Sequence, residues 1–543
     1  MIRLKITGMT CEHCAVTVRS ALENVEGVVK AEVRFPEGLA EVQTQGEVSP
    51  GDLVSAIERA GYGAEVLEEG PVVYIPSEDL PDLLIVGAAS AGFASGIRAW
   101  DLGARRIIIV ERGIIGGTCL NRGCVPSKFF IEASNLIHSS ERDFPGLLPS
   151  RREINFMELV EAKKALLNEL RKEKYLDVLS AYPGIEYIEA EGRFEGEDLL
   201  VAGDRSIRFS RCVIAVGSRP SLPPVEGIEE VPYITSDTVF DLEELPQKLL
   251  VLGGGAIGLE LGQAFLRFGS EVTLIEAMPS LLPGADPLFG TKLEALLRDE
   301  GMRIFTGTRV ERAQVRGGMI VLGLRRGDET FEVEGTHLLV ATGRVPNTDS
   351  LFLDKAGVET DSRGFIRVSD SLQTTNPRIF SAGDCINRSL LVTLAAKEGA
   401  VAAENALIGS NKTIDYDSVP QAVFTDPEVA WVGISLEEAH KRGIEAEERT
   451  LDLSKVPRAV ISGRTEGFFK VVAQKGRGRV LGVFVMAPHG AEVIHRAVSL
   501  VKHRLSLEDL LDLVDVYPTI SEGVKLCAIG FERDVSRLSC CAQ

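Results

Sequence analysis

Six of the nine cysteines stand in pairs: Cys11 with Cys14, Cys119 with Cys124, and Cys540 with Cys541. The central pair lies in Gly116-Gly117-Thr118-Cys119-Leu120-Asn121-Arg122-Gly123-Cys124-Val125-Pro126-Ser127-Lys128. Two thiols at a glycine-opened helix start sit in a positive field that favours thiolate, and Lys128 strengthens it. Redox exchange suits such a pair. A structural disulfide or a zinc site is the plainer alternative, but a third and fourth neighbouring ligand are missing. Adjacent cysteines such as Cys540 and Cys541 make a strained disulfide, yet they offer two thiolates to a soft metal ion. Cys11 and Cys14 form a Cys-x-x-Cys loop with the same capacity; a redox pair or an incidental motif are the alternatives. Cys212, Cys385 and Cys527 stand alone beside apolar residues and read as buried small hydrophobes.

Two glycine turns supply a second kind of chemistry. Gly253-Gly254-Gly255-Ala256-Ile257-Gly258 is a full GxGxxG between the apolar run Leu249-Leu250-Val251-Leu252 and a helical segment, and Glu276 follows Gly258 by 18 residues at the end of the next strand. Gly253, Gly255 and Gly258 permit a tight turn and close approach of a pyrophosphate. The helix start favours the anion, and Glu276 can accept hydrogen bonds from ribose hydroxyls. A carboxylate there repels a 2′-phosphate, which favours NADH over NADPH; Arg267 and Lys292 cannot be placed from sequence. The first turn, Gly87-Ala88-Ala89-Ser90-Ala91-Gly92, carries Ala89 where the middle glycine belongs, and Glu111 follows Gly92 by 19 residues. The alternative for either turn is a purely structural strand-to-helix bend.

These groups need elements to hold them. At about 150 residues per domain, 543 residues predict three to four domains. Residues 1–68 read as strand, helix, strand, strand, helix, strand, a small ferredoxin-like domain. Glu68-Glu69-Gly70-Pro71 breaks the pattern and Pro76 to Pro81 continues an extended, polar connection, so 69–80 is expected to be a linker. Apolar runs followed by glycine turns at 83–92 and 249–258 predict an α/β class with two Rossmann-like nucleotide-binding domains on parallel sheets. The first is expected at 81–231 with a second part at 349–417, and the other at 232–348. Strands at Ala422-Val423-Phe424, 468–472 and 480–485 and a helix at 491–501 predict a further α+β domain over 418–543. Lys and Arg total 59 against 79 Asp and Glu, and a net charge of −20 repels nucleic acid. No apolar run approaches about 20 residues, so no membrane insertion is expected. Met1 to Thr10 form a short alternating segment rather than a charged-then-apolar leader, so a cytoplasmic setting is expected, and nine cysteines in so long a chain make no disulfide framework.

The segment 116–128 resembles the redox-active disulfide of the flavin-dependent disulfide reductase family. The resemblance extends over nearly everything after residue 81 and includes Ala215-Val216-Gly217, Ala341-Thr342-Gly343-Arg344-Val345-Pro346-Asn347 and Ser381-Ala382-Gly383-Asp384. It implies FAD in the first fold, NADH or NADPH in the second, and a homodimer closed by the C-terminal domain. It implies that Ala89, Gly92, Glu111, Gly113, Thr118, Lys128, Asp384 and Val392 contact FAD, and that Glu260 pairs with Lys128 near the flavin ring. Cys124 is then the thiol facing the flavin, and Cys119 the one facing substrate.

Members of that family that split organic disulfides protonate the leaving thiolate with a His-Pro-Thr segment whose histidine pairs with a glutamate five residues on. Here the segment is Tyr517-Pro518-Thr519-Ile520-Ser521-Glu522. A phenol with an ordinary pKa near ~10 is a poor proton shuttle at neutral pH, whereas imidazole near ~6.5 is well matched. The N-terminal Gly8-Met9-Thr10-Cys11-Glu12-His13-Cys14 resembles the soft-metal loop of heavy-metal-associated domains, with His13 facing solvent. Together these features resemble the branch of the family that reduces Hg2+. The resemblance implies that Hg2+ or its thiol complexes are captured by Cys540 and Cys541, expected from the partner subunit, and passed to Cys119 and Cys124. Cys11 and Cys14 are then an upstream collector. Tyr233, in Val231-Pro232-Tyr233-Ile234-Thr235-Ser236, matches a second active-site tyrosine of that branch. Tyr233 and Tyr517 assist by hydrogen bonding or weak ligation, or simply pack. The rival readings are a thioredoxin reductase-like or dihydrolipoamide dehydrogenase-like enzyme, both needing the absent histidine, and an inactive flavoprotein serving as a metal chaperone or sensor.

Overall fold

A computed structural model describes residues 2–9, 12–35, 38–44, 48–69, 80–150 and 152–537. The chain forms two compact units, one of 1–117, 171–218 and 345–414, the other of 118–170, 219–344 and 415–543.

In the first unit, β1 (Ile2–Thr7), α1 (Glu12–Glu23), β2 (Val28–Arg34), β3 (Leu39–Thr44), α2 (Pro50–Arg59) and β4 (Gly63–Glu69) follow in the expected order. The sheet is antiparallel, ordered β2-β3-β1-β4. Period-two burial of Ile2, Leu4 and Ile6 meets helical spacing of Val18 and Leu22 and of Leu53 and Ile57, which puts the core between the sheet and the two helices. The same unit holds the first nucleotide fold. Its parallel sheet runs Ile379–Ser381, Cys212–Ile214, β5 (Leu83–Val86), β6 (Ile107–Glu111), Ile185–Glu189. All four residues of β5 are buried, as a strand covered on both faces requires. α3 (Ser90–Asp101) packs against the Val392–Ile408 helix so closely that a Cβ on Gly399 would lie 2.1 Å from the Ala91 carbonyl oxygen.

The second unit repeats the design with a parallel sheet ordered Tyr233–Thr235, His337–Val340, Lys248–Leu252, Glu271–Ile275, Arg303–Phe305. It also contains α5 (Cys124–Glu141), reached from the first unit through α4 (Gly117–Arg122). Its C-terminal part is an antiparallel sheet ordered Gln421–Val423, Glu428–Gly433, Val480–Ala487, Phe468–Gln474, Ala446–Asp452, with the Gly490–Lys502 helix packed on it. The strand expected over 422–424 stops at Val423, and Phe424 leaves the sheet. Among the described residues no helix is long and apolar enough to cross a membrane. Cys212, Cys385 and Cys527 are buried as expected; desolvation pushes the Cys385 thiol up to about 11, Cys527 to about 12 and Cys212 further still.

Candidate active site

The redox pair is built by one glycine. The sequence suggests both thiols at a single helix start, but Cys119 lies within the short α4 and only Cys124 opens α5. Gly123 joins the two helices, and a Cβ there would stand 3.0 Å from the Thr118 carbonyl oxygen and 3.3 Å from Cys119 Cα. The missing side chain lets α4 fold back on the head of α5. The thiols are unbonded, and Cys119 donates a hydrogen bond to Cys124. That bond, opposed by burial and helped by the Lys128 ammonium, brings the Cys124 thiol down to about 7; the 18-residue helix adds its positive end. Cys119, which keeps the shared proton and is itself desolvated, is pushed far above the ordinary thiol range. Lys128 stands one turn along α5, its Nζ 2.7 Å from Glu260 Oε2. The expected pairing of Lys128 with Glu260 is therefore present.

This electrostatics gives a pH prediction. With both thiols reduced, the ultraviolet absorbance of the Cys124 thiolate should grow as pH rises through about 7. Lys128→Met removes a cation that favours the thiolate, so the midpoint should move up by about one pH unit or more. An unchanged midpoint on spectral titration would refute the lysine's part.

The two glycine turns are near copies. Gly87 and Gly253 both have φ +113, and a Cβ on either would strike the carbonyl of Ala215 or Ala341. Gly92 and Gly258 work behind the turn: a Cβ on each would lie 1.9 Å from the carbonyl oxygen of Gly87 or Gly253. Their role is to let the helix press on the strand end. Gly258→Ala should therefore cost about 3 kcal/mol, the upper end of overpacking, read by thermal melting.

Both helices begin without a side-chain cap, at Ala89 and at Gly255, which leaves first-turn N–H groups for an anion. A Cβ on Gly255 would meet no atom within 4 Å, so the space over that turn is open. Where the first turn has Ala89, the compensation comes from across the loop: Gly117, at φ +62, faces the Ala89 methyl group, and a Cβ on it would lie 2.2 Å from that methyl. The acids at the strand ends are used alike. Glu111 accepts from the N–H groups of Ala88 and Gly113, both at 2.7 Å. Glu276, 7% exposed, accepts from Gly254 at 2.6 Å and Met278 at 2.7 Å. Sequence suggests a ribose role for Glu276, and the resemblance an FAD contact for Glu111. They also brace the turn, and each oxygen keeps a lone pair for a ribose hydroxyl.

In the first unit Gly383, at φ +81, brings the Asp384 turn beside α3, where Ala91 Cβ lies 3.4 Å from a Cβ built on Gly383. Asp384 Oδ2 accepts from Ser218 Oγ at 2.7 Å. Val392 opens its helix without a side-chain cap. Thr118 is the second residue of α4. The uncapped helix start at Ala89 and the glycine cradle around it fit the pyrophosphate of a dinucleotide.

Tyr233 is half-buried at the start of the edge strand of the second parallel sheet. Tyr517 is 46% exposed, while Glu522 is 3% exposed and accepts from the Thr519 N–H at 3.3 Å. Burial, with Asp515 adding, pushes the Glu522 carboxyl above its ordinary range. The segment presenting Tyr517 has two anchors that sequence reasoning missed: Arg496 holds Asp515 at 2.7 Å, and Lys525 donates to the Leu513 carbonyl. Nothing in the spacing of Arg496 and Lys525 signals this, because their partners stand 19 and 12 residues away, beyond any helical or strand period. Cys14 is half-buried in α1. Cys11, Cys540 and Cys541 lie outside the described residues, and among the described ones no three His, Cys, Asp or Glu side chains gather to hold a metal.

Comparison with known proteins agrees with this geometry. Residues 81–399 match the pyridine nucleotide-disulphide oxidoreductases, 419–528 the dimerisation domain of the same name, and 3–63 the heavy-metal-associated domain. The chain belongs to the pyridine nucleotide-disulphide oxidoreductase family. Within it, the chain groups with the mercuric reductases. It is 39% identical to the mercuric reductase of Acidithiobacillus ferrooxidans over 99% of this chain and 98% of that one. It is 38% identical to that of Shigella flexneri over the whole of both. Among solved structures, a Cu(II) complex of the HOCl-induced flavoprotein disulfide reductase RclA from Escherichia coli aligns with TM-score 0.74 at 26% identity, over 84% of this chain and 100% of that one. LpdA from Mycobacterium tuberculosis aligns with TM-score 0.75 at 26% identity, over 83% and 99%.

Proposed function

We propose that this oxidoreductase passes two electrons from reduced nicotinamide to Hg2+, so that NADH and Hg2+ become NAD+, H+ and Hg0. The observation that carries the reading is the Cys119–Cys124 pair, polarised by Lys128, which Glu260 holds in place, in a chain whose expected proton-donor position is Tyr517. FAD, held by Ala89, Gly92, Glu111, Gly113, Thr118, Lys128, Asp384 and Val392, supplies the two-electron relay between nicotinamide and sulfur when bound. Gly253, Gly255, Gly258 and Glu276 hold the nicotinamide nucleotide. Cys540 and Cys541 of the second subunit in a homodimer capture Hg2+ from small thiols. Each transfer onward forms one Hg–S bond at Cys119 or Cys124 and breaks one at the tail, so the ion never enters water free. Cys11 and Cys14 collect the ion upstream, and Tyr233 and Tyr517 flank the transfer, with Glu522 behind. In this reading the domains are 1–68, a linker at 69–80, an FAD domain at 81–231 and 349–417, a nicotinamide domain at 232–348 and a dimerisation domain at 418–543, working in the cytoplasm.

NADH is the preferred donor. Arg267 and Lys292 are engaged elsewhere, the first with Glu300 and Asp426 and the second with Asp452, so neither offers a cation to a 2′-phosphate near Glu276. Loss of volatile mercury from buffered HgCl2 with thiol, measured with NADH and then NADPH, tests both statements. Mercury should leave faster with NADH. Oxidation of NADH by oxidised glutathione or lipoamide without any response to mercury would sink the reading.

A further inference from the structure

Lys128 has a neighbour that neither its pairing with Glu260 nor any motif explains. Its Nζ stands 4.3 Å from the ring centroid of Phe424, the residue that leaves the C-terminal sheet at Val423. Phe424-Thr425-Asp426 then runs along one face of the Ala256–Phe268 helix and bonds to three of its residues. The Phe424 N–H donates to Glu260 Oε1 at 2.9 Å. Asp426 and Gln263 exchange two bonds, Asp426 N–H to Gln263 Oε1 at 2.8 Å and Gln263 Nε2 to the Asp426 carbonyl at 2.9 Å. Arg267 Nη1 meets Asp426 Oδ2 at 3.1 Å. Glu260, Gln263 and Arg267 fall on one helical face, as steps of three and four residues demand. The same face is tied to α5 at two levels, by Lys128 to Glu260 and by Arg267 Nη1 to Asn135 Oδ1 at 2.5 Å, with edge-to-face rings of Phe130, Phe265 and Phe268 between them.

We infer that Phe424 is a positioning residue for Lys128, and that the strap 424–426 lets the C-terminal sheet set where the cation beside the redox pair stands. A lysine is a point charge on a flexible stem, so one carboxylate oxygen leaves its direction open. The ring face gives it a second contact, and the strap's N–H fixes the carboxylate that gives the first. Gln263 and Arg267, both buried, hold the strap to the helix.

The inference rests on the reading that Lys128 stands at the flavin side of Cys124, and the test separates the two. Holoenzyme carrying Phe424→Met, Phe424→Tyr, Asp426→Asn or Lys128→Met is reduced with NADH at fixed pH, and its long-wavelength absorbance and flavin midpoint potential are measured. Methionine fills the space without a ring face, so Phe424→Met should lower the absorbance roughly two- to fivefold, the range of a partly exposed cation–ring contact, and shift the potential the same way as Lys128→Met. Phe424→Tyr should behave as the parent. Asp426→Asn keeps the main-chain bonds to Gln263 but loosens the strap, so it should give a smaller shift of the same sign, and it stands in if Phe424→Met does not fold. If Lys128→Met changes both signals while Phe424→Met and Asp426→Asn change neither, the strap has no positioning role. If Phe424→Tyr falls as far as Phe424→Met, the ring face is not the seat. If Lys128→Met changes nothing, the placement of the lysine is wrong and the inference goes with it.

Discussion

Cys119→Ser is expected to lower Hg2+-dependent NADH oxidation on the order of 10³-fold or more, the scale seen when a nucleophile is removed, while NADH still bleaches the flavin. Serine cannot replace a soft sulfur ligand, but it can still donate a hydrogen bond to Cys124. The variant should therefore keep a Cys124 thiolate that can no longer close a disulfide, and show long-wavelength absorbance even before reduction. Cys124→Ser should lose mercury turnover to a similar extent and show no such absorbance. The asymmetry comes from the fold, because Cys124 opens α5 and is the thiol brought down to about 7, while Cys119 holds the proton. Spectra of the two variants as isolated decide it; absorbance in Cys124→Ser alone would reverse the assignment of the flavin-side sulfur.

The double change Cys540→Ala with Cys541→Ala is expected to slow turnover of thiol-complexed Hg2+ on the order of a hundredfold, because a tethered dithiol acts at a high effective concentration that is lost with it. Flavin reduction by NADH should proceed at the parent rate, since no residue of the nicotinamide site is touched. Stopped-flow flavin reduction and steady-state mercury loss, compared with the same mercury complex, separate the two steps. Equal mercury turnover in parent and variant would remove the tail from the delivery route. Glutathione reductase activity gained by Tyr517→His alone is not expected, because pocket shape also has to admit the disulfide.

Much of the site was legible because its parts are local. The Cys119–Lys128 segment spans a few residues, and its helix start, glycine and lysine lie close enough in sequence for their fields to be read together. The glycine turns were legible for the same reason, since strand, turn, helix and acid follow in order. The departure at Ala89 was visible too, but its remedy was not. Gly117 receives the methyl group from 28 residues away, a distance that no local pattern spans. The second task of Glu111 and Glu276, bracing the turn by accepting two N–H bonds each, was hidden because donors and acceptor meet only when the parallel strands pair.

Residue type and spacing alone therefore pointed to the α/β class, to two strand–glycine–helix turns able to take a nucleotide and to a thiol pair beside a lysine, because each follows from backbone freedom, periodicity or the chemistry of one side chain; the departure from histidine at Tyr517 was visible only through the family resemblance. Only the tertiary structure decided which thiol carries the charge, that Phe424 seats Lys128, and that Arg496 and Lys525 anchor the segment bearing Tyr517. Those outcomes depend on burial and on contacts that local periodicity does not reveal, from the 12 residues between Leu513 and Lys525 to the far longer separation of Lys128 and Phe424. Such contacts are set by how layers pack, and the energy of a buried charge or hydrogen bond exists only once that packing has removed the water.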